Sequence, residues 1–179
     1  LATFDIYGLE RSSHGNITCD VTQGDPYNGS FAITNPGTLR LTGVKAETIQ
    51  TPEGCDVKLD VATTIDGGQS AELRYTITGS KPTAKNDWEK IIVKVTTAEG
   101  ATLEQTLYYY CRSPKAQLVV SESNIKTTMT KGKERQYVLF VTNYGRGATG
   151  DITLSLPDWM KSATGTTLPS LAQNDTATV

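Results

Sequence analysis

The chain has 179 residues and a formal net charge of −2, from 17 basic and 19 acidic residues, and 37% of it is hydrophobic. This composition is typical of a globular protein rather than a disordered tail. The basic residues form no run, which argues against nucleic acid and anionic membrane as partners. No apolar run is long enough to cross a membrane, so no membrane insertion is expected within this chain.

Short alternating apolar runs separated by Gly-containing turns predict an all-β fold. In chain order, the alternation predicts strands at 2–7, 15–23, 31–34, 39–41, 55–61, 73–77, 88–95 and 103–111. Asn35-Pro36-Gly37 predicts a tight turn, because Pro fixes φ and Gly tolerates positive φ. The chain begins at Leu1 without an initiator Met or a signal peptide, so we expect a fragment of a larger protein.

The sequence also repeats itself. Phe-Ala-Ile-Thr-Asn-Pro-Gly at 31–37 returns 108 residues later as Leu-Phe-Val-Thr-Asn-Tyr-Gly at 139–145. Residues 16–37 match 124–145 without a gap, and 65–73 match 171–179. This repeat predicts two domains, 1–113 and 114–179, joined at the polar segment 112–115. Counterparts of 75–111 are missing from the second copy. It is therefore expected to be truncated, to close with fewer strands, or to be completed by strands from another chain.

Two further motifs carry a family resemblance. Leu156-Pro157-Asp158-Trp159 is followed by Leu-Ala-Gln-Asn-Asp-Thr-Ala-Thr-Val at 171–179. With the repeated Thr-Asn-x-Gly turn, they resemble the immunoglobulin-like repeats, fibronectin-like or CARDB-like, of large bacterial and archaeal surface and secreted proteins. Those families carry Leu-Ala-Pro-Gly-Glu-Ser at the position of residues 171–176. This chain departs from that pattern, because it has neither the Pro nor the Gly there. The resemblance implies two tandem antiparallel Ig-like β-sandwich domains, with Trp159 plugging one end of the second. It transfers no catalytic residues.

The residues indicate no catalytic or metal chemistry. His14 is the single His and lies in a predicted loop, so neither a zinc site nor a nucleophilic triad is expected. Asp20, Asp25 and Asp66 lie near turns but in no calcium-loop pattern. We therefore predict a protein that is not an enzyme and has no metal or cofactor.

Three cysteines, Cys19, Cys55 and Cys111, lie in the first copy on the apolar register of their strands. They are either three buried free thiols or one bridge with one thiol left over. A Cys55–Cys111 bridge requires neighbouring strands.

Aromatic residues give the remaining binding hypothesis. Leu107, Tyr109 and Cys111 share one face of a strand, which leaves Tyr108 and Tyr110 on the other. With Trp88 or Tyr75 nearby, they predict a weak platform for sugar rings or protein contacts. The alternative is that these tyrosines serve only strand pairing.

These patterns support two alternative functions. The first is a non-enzymatic extracellular or cell-surface repeat pair, which serves as spacer and as interaction or adhesion module. It binds a protein partner or neighbouring repeats, including by strand addition. The second is an accessory carbohydrate-binding module of a polysaccharide-degrading enzyme.

Overall fold

The computed structural model describes residues 6–12 and 15–179, and their regular structure consists of β-strands without any helix. Accordingly, this part of the chain offers no helix of the length and apolarity that a membrane crossing needs. The chain divides into two compact units, Leu1–Arg112 and Ser113–Val179, hereafter unit 1 and unit 2. The all-β fold predicted from the sequence is confirmed.

Unit 1 contains eight strands among its described residues. They are β1 (Glu10–Arg11), β2 (Ile17–Thr22), β3 (Pro26–Thr34), β4 (Lys45–Gln50), β5 (Cys55–Asp60), β6 (Ser70–Gly79), β7 (Glu89–Thr96) and β8 (Thr102–Arg112). They form two four-stranded sheets, in the orders β1-β3-β6-β5 and β2-β8-β7-β4. All neighbours are antiparallel except β2 and β8, which run parallel. This is the strand order of a constant-type immunoglobulin sandwich, with the first strand divided between the sheets.

Side chains from both sheets of unit 1 form one core. Ile33, Leu73 and Ile77 from the first sheet and Val93 and Leu107 from the second are fully buried in the same cluster. The alternation that predicted these strands follows from this packing, because every second residue of a strand faces the opposite sheet.

Unit 2 contains five shorter strands. They are β9 (Leu118–Val120), β10 (Phe140–Asn143), β11 (Ile152–Thr153), β12 (Thr167–Leu168) and β13 (Thr176–Thr178). The order β13-β10-β9 makes one sheet, and β11 pairs with β12 in a second, two-stranded one. Val141, Leu168 and Leu171 are its buried apolar residues.

Three strand predictions need correction. Strand β4 was missed because Lys-Ala-Glu-Thr-Ile-Gln at the edge of its sheet has almost no apolar alternation. Leu41, predicted to lie in a strand, makes only an isolated bridge with Ile65. Of the strand predicted at 2–7, Ile6 and Tyr7 are not in a strand, and the remainder lies outside the described residues. His14 also lies outside them.

Candidate interaction surface

The three consecutive tyrosines of β8 are divided between the two faces of their sheet. Tyr109 is 1% exposed and belongs to the core, whereas Tyr108 and Tyr110 are half-buried and point outward. The pairing of β8 with β2 and β7 places Thr18 and Lys90 on either side of Tyr108. Directly paired residues share a face of the sheet, so these side chains line one outer surface.

Trp88 and Arg112 complete this surface around Tyr110. The ring centroids of Trp88 and Tyr110 are 5.6 Å apart at an interplanar angle of 60°. The Arg112 guanidinium carbon lies 4.8 Å from the Tyr110 centroid, within the range of a cation–π contact. We call Trp88, Tyr108, Tyr110 and Arg112 the aromatic face.

Polar contacts hold the aromatic face in place. Arg112 Nε donates to both carboxylate oxygens of Asp20, at 2.8 and 3.1 Å. This hydrogen bond raises the pKa of Arg112. The Tyr110 hydroxyl lies 3.4 Å from Asn86 Oδ1, and Trp88 keeps 39% of its surface exposed. The surface therefore offers an accessible indole ring beside fixed charged groups.

Tyr75 does not join the aromatic face, contrary to our expectation. It is 4% exposed and lies in the core, where its ring centroid is 6.4 Å from that of Phe31. Its hydroxyl is 3.8 Å from the Cys19 sulfur. Burial raises the pKa of Tyr75, as expected for a phenol in apolar surroundings. Sequence reasoning also missed Arg112, although its spacing of two from Tyr110 places both side chains on one face.

The repeated Thr-Asn-x-Gly turn is built on a buried Asn in each unit. Asn35 is fully buried, and its Nδ2 donates to the carbonyls of Leu39 and Ile65 at 2.7 and 3.0 Å. Its Oδ1 accepts the Gly37 N–H at 3.0 Å. Both ends of the amide are thus used to close the turn.

Asn143 makes the corresponding contacts in unit 2. It is also fully buried, donates to the carbonyls of Gly147 and Leu171 at 2.8 and 3.0 Å, and accepts the Gly145 N–H at 2.9 Å. The strand pairing agrees as well: Ile33 lies opposite Ala71 in unit 1, and Val141 opposite Ala177 in unit 2. We call this arrangement the buried-Asn turn.

The three cysteines are free thiols in the structure. Cys19 and Cys111 are buried, and Cys55 is half-buried on the edge strand β5. Burial raises the pKa of Cys19 and, to about 12, that of Cys55. The Cys55–Cys111 bridge remains a prediction.

A shallow depression of about 360 Å³ lies on β3 and β6, lined by Asn28, Ser30, Glu72, Arg74 and Thr76 among others. Its polar groups are largely paired with one another: Ser30 Oγ and Arg74 Nε both donate to Glu72, and Thr76 Oγ1 donates to Asn28. We therefore favour the aromatic face as the candidate site.

Unit 2 exposes apolar side chains whose counterparts in unit 1 are covered. Cys19 and Val21 of β2 are buried beside β8, whereas the corresponding segment 125–130 of unit 2 lies in no strand. Met129, at the position of Val21, is 52% exposed. The expectation that Trp159 plugs the end of a sandwich is wrong, since this residue is 76% exposed.

No protein-family model matches the chain, and no curated protein matches it. Among solved structures, the chain is similar to the secreted serine protease VesC from Vibrio cholerae (12% identity, TM-score 0.41, covering 96% of this chain and 43% of that one). It is also similar to the SrpA adhesin from Streptococcus sanguinis (15% identity, TM-score 0.43, covering 63% of this chain and 60% of that one). A third similar structure is the CupB2 chaperone from Pseudomonas aeruginosa (11% identity, TM-score 0.37, covering 94% of this chain and 87% of that one).

The chain spans 31% of the length of the VesB protease from Vibrio cholerae and 43% of that of VesC. The neighbours include all-β domains of surface and secreted proteins, and no single family is shown.

Proposed function

We propose that this chain is a non-enzymatic pair of Ig-like repeats that serves as spacer and as protein-interaction or adhesion module of a larger surface or secreted protein. The observation that carries the proposal is the buried-Asn turn, which has the same hydrogen bonds at Asn35 and at Asn143. A module that is copied along a chain lengthens it and multiplies its surfaces, without any requirement for an active site.

The modular part of this proposal predicts that each unit keeps its fold when the other is damaged. Asn35→Ala and Asn143→Ala are introduced separately into the full chain, and amide NMR spectra are compared with the wild type. We expect each substitution to shift resonances of its own unit only. Widespread changes in both units from either substitution would contradict two independent modules.

Strand addition is the mode of protein binding that unit 2 supports best. In unit 1, β2 pairs in parallel with β8, and this pairing covers Cys19 and Val21. In unit 2, the segment 125–130 carries Ile125 and Met129 at the alternate positions, and both are exposed. An extended partner segment with alternating apolar residues would pair with this segment and bury both side chains.

A synthetic peptide with the β8 sequence, Thr102–Arg112, is a suitable probe for this pairing. We expect it to protect the amides of 124–130 in the full chain from hydrogen exchange. Met129→Asp should abolish the protection, while Val138→Asp, a change at another exposed apolar residue, should leave it intact. The absence of protection at every soluble peptide concentration would refute this mode.

Carbohydrate binding is the second candidate function, and the aromatic face is the observation that favours it. An exposed indole stacks on the apolar face of a sugar ring, and Arg112, whose guanidinium has more N–H donors than the one it directs to Asp20, offers hydrogen bonds to the hydroxyl groups of the sugar.

A glycan array with the full chain tests this candidate. We expect Trp88→Ala and Tyr110→Ala to remove any signal, and Tyr144→Ala, at an exposed tyrosine in unit 2, to retain it. An array without any bound glycan would dismiss carbohydrate binding and leave the repeat-pair proposal unaffected.

A further inference from the structure

Gly79 leaves a space in the core of unit 1, and two cysteines face that space. A side chain at Gly79 would place its Cβ only 2.5 Å from the Cys111 sulfur and 2.5 Å from the Tyr109 hydroxyl oxygen. The Cys111 thiol therefore occupies the place where β6 lacks a side chain. It reaches this place from β8, which belongs to the opposite sheet.

Cys55 lies beside the same space. It is directly opposite Gly79 in the antiparallel pair of β5 and β6. Cβ positions of directly opposite residues are about 4.5–5.5 Å apart and lie on the same face of the sheet. Together with the contact between Cys111 and Gly79, this places the Cys111 sulfur within about 8 Å of the Cys55 Cβ at most. The bridged state has Cβ atoms about 3.8 Å apart, so the edge strand β5 would have to move towards β8 when the bond forms.

The third thiol, Cys19, lies on β2 next to β8, but its sulfur makes its contact over β3 rather than beside β5. Cys19 contacts the Tyr75 hydroxyl, and that hydroxyl lies 2.4 Å from where a Cβ of Gly29 would be. Gly29 is on β3, and β6 separates β3 from β5 in the sheet. Neighbouring strands are about 4.8 Å apart, so Cys19 and Cys55 face positions two strands apart.

We propose that Cys55 and Cys111 form a disulfide that joins the two sheets of unit 1, and that Cys19 remains a free, buried thiol. The bond would tie the edge strand β5 to β8, the strand that pairs with both β2 and β7. Such a bond suits the oxidising exterior expected for a surface or secreted protein.

The oxidant is a low-molecular-weight disulfide such as oxidised glutathione. One protein thiolate attacks it, forms a mixed disulfide and releases one glutathione thiolate. The second protein thiolate then attacks the protein sulfur of the mixed disulfide and releases the other. In total, two protein thiols lose two protons and two electrons, and the small disulfide is reduced to two thiols. Burial keeps the Cys55 thiol protonated in the folded state, so the bond should form while the chain folds.

The test is refolding of the full chain from denaturant in a glutathione redox buffer, followed by alkylation of free thiols and mass spectrometry of unreduced peptides. We expect one linked pair that contains Cys55 and Cys111, together with alkylated Cys19. A linkage that includes Cys19, or three alkylated cysteines, would overturn the proposal.

Two variants serve as matched controls in a thermal melt. Cys19→Ala should keep the linked peptide and melt at a higher temperature when oxidised than when reduced. Cys55→Ser should melt at the same temperature in both conditions, because its bridge cannot form. A redox-dependent shift that persists in Cys55→Ser and is lost in Cys19→Ala would assign the bond to Cys19 and refute the inference.

Discussion

Asn174 in unit 2 and Gly68 in unit 1 have the same left-handed backbone conformation, with φ of 65° and 71°. Each donates its N–H to the carbonyl of the buried Asn of its unit, Asn143 at 2.7 Å and Asn35 at 2.9 Å. Asn is the residue other than Gly that adopts this conformation most readily. This explains how Asn174 can hold in unit 2 the position that Gly68 holds in unit 1.

This conformation predicts the order of stability of variants at Gly68. We expect Gly68→Ala to destabilise the protein by about 1 kcal/mol. The Cβ of Ala would meet no neighbour, but a positive φ is energetically unfavourable for Ala. Gly68→Asn should cost less. Urea denaturation checks both. Equal losses for Ala and Asn would contradict the explanation.

The buried-Asn turn makes Asn35 a strong determinant of stability. Asn35→Ala removes two donated hydrogen bonds and one accepted bond, and it leaves the buried Gly37 N–H without its partner. We expect a loss of roughly 3 kcal/mol from unit 1. The control is Asn28→Ala, at an exposed residue, which should change stability by less than about 0.5 kcal/mol. The prediction fails if the two variants are equally stable in urea.

Tyr109, unlike Asn35, has a buried polar group that contributes little to stability. Its hydroxyl is buried beside the Cys111 thiol, a weak hydrogen-bonding group, and makes no hydrogen bond of ordinary geometry within the described residues. Tyr109→Phe should therefore leave stability unchanged or raise it by up to about 1 kcal/mol, because an unsatisfied polar group is removed. Tyr75→Phe is the matched control, and it should be slightly destabilising because the Tyr75 hydroxyl contacts Cys19. A clear loss of stability in Tyr109→Phe would show that its hydroxyl has a bonding role.

Unit 1 should lose stability at alkaline pH. Burial raises the pKa of Cys55 from 9.0 to about 12 and also raises the pKa values of Tyr75 and Tyr109. A raised folded-state pKa means that the folded state holds the proton more tightly. The stabilising contribution of Cys55 is therefore complete below pH 9 and is lost as the pH rises towards 12.

Trp88 fluorescence in a Trp159→Phe background reports unfolding of unit 1 alone, because the chain has 2 Trp. We expect the free energy of unfolding of the reduced protein to fall across that pH range, and to fall less in Cys55→Ser. A flat profile would contradict the burial argument.

Much of unit 1 could be predicted because its strands alternate between apolar and polar residues. The strands β2 and β5 to β8 all follow this pattern. Strand β4 does not, since its position at a sheet edge imposes little apolar requirement on its side chains. The same alternation predicted that Tyr109 faces the core while Tyr108 and Tyr110 face outward, because the direction of a side chain depends only on its position within its own strand.

Properties that depend on distant partners could not be predicted. The position of Tyr75 in the core depends on Gly29, which gives its ring room on the neighbouring strand. The role of Arg112 depends on Asp20, which lies 92 residues earlier in the sequence. The Asn of the repeated turn was recognised as structural, but its burial and its bonds to Ile65 and Leu171 follow only from the fold.

The parallel pairing of β2 with β8 has a mechanical consequence for a repeat in a longer chain. These strands lie near the two ends of unit 1, with Ile17 opposite Leu107 and Thr22 opposite Arg112. A pulling force applied through the two ends acts along both strands in opposite directions. It would load the hydrogen bonds between β2 and β8 in shear, all at once, rather than opening them one by one. The parallel pairing of β2 and β8 should therefore make unit 1 resistant to tension applied through its two ends.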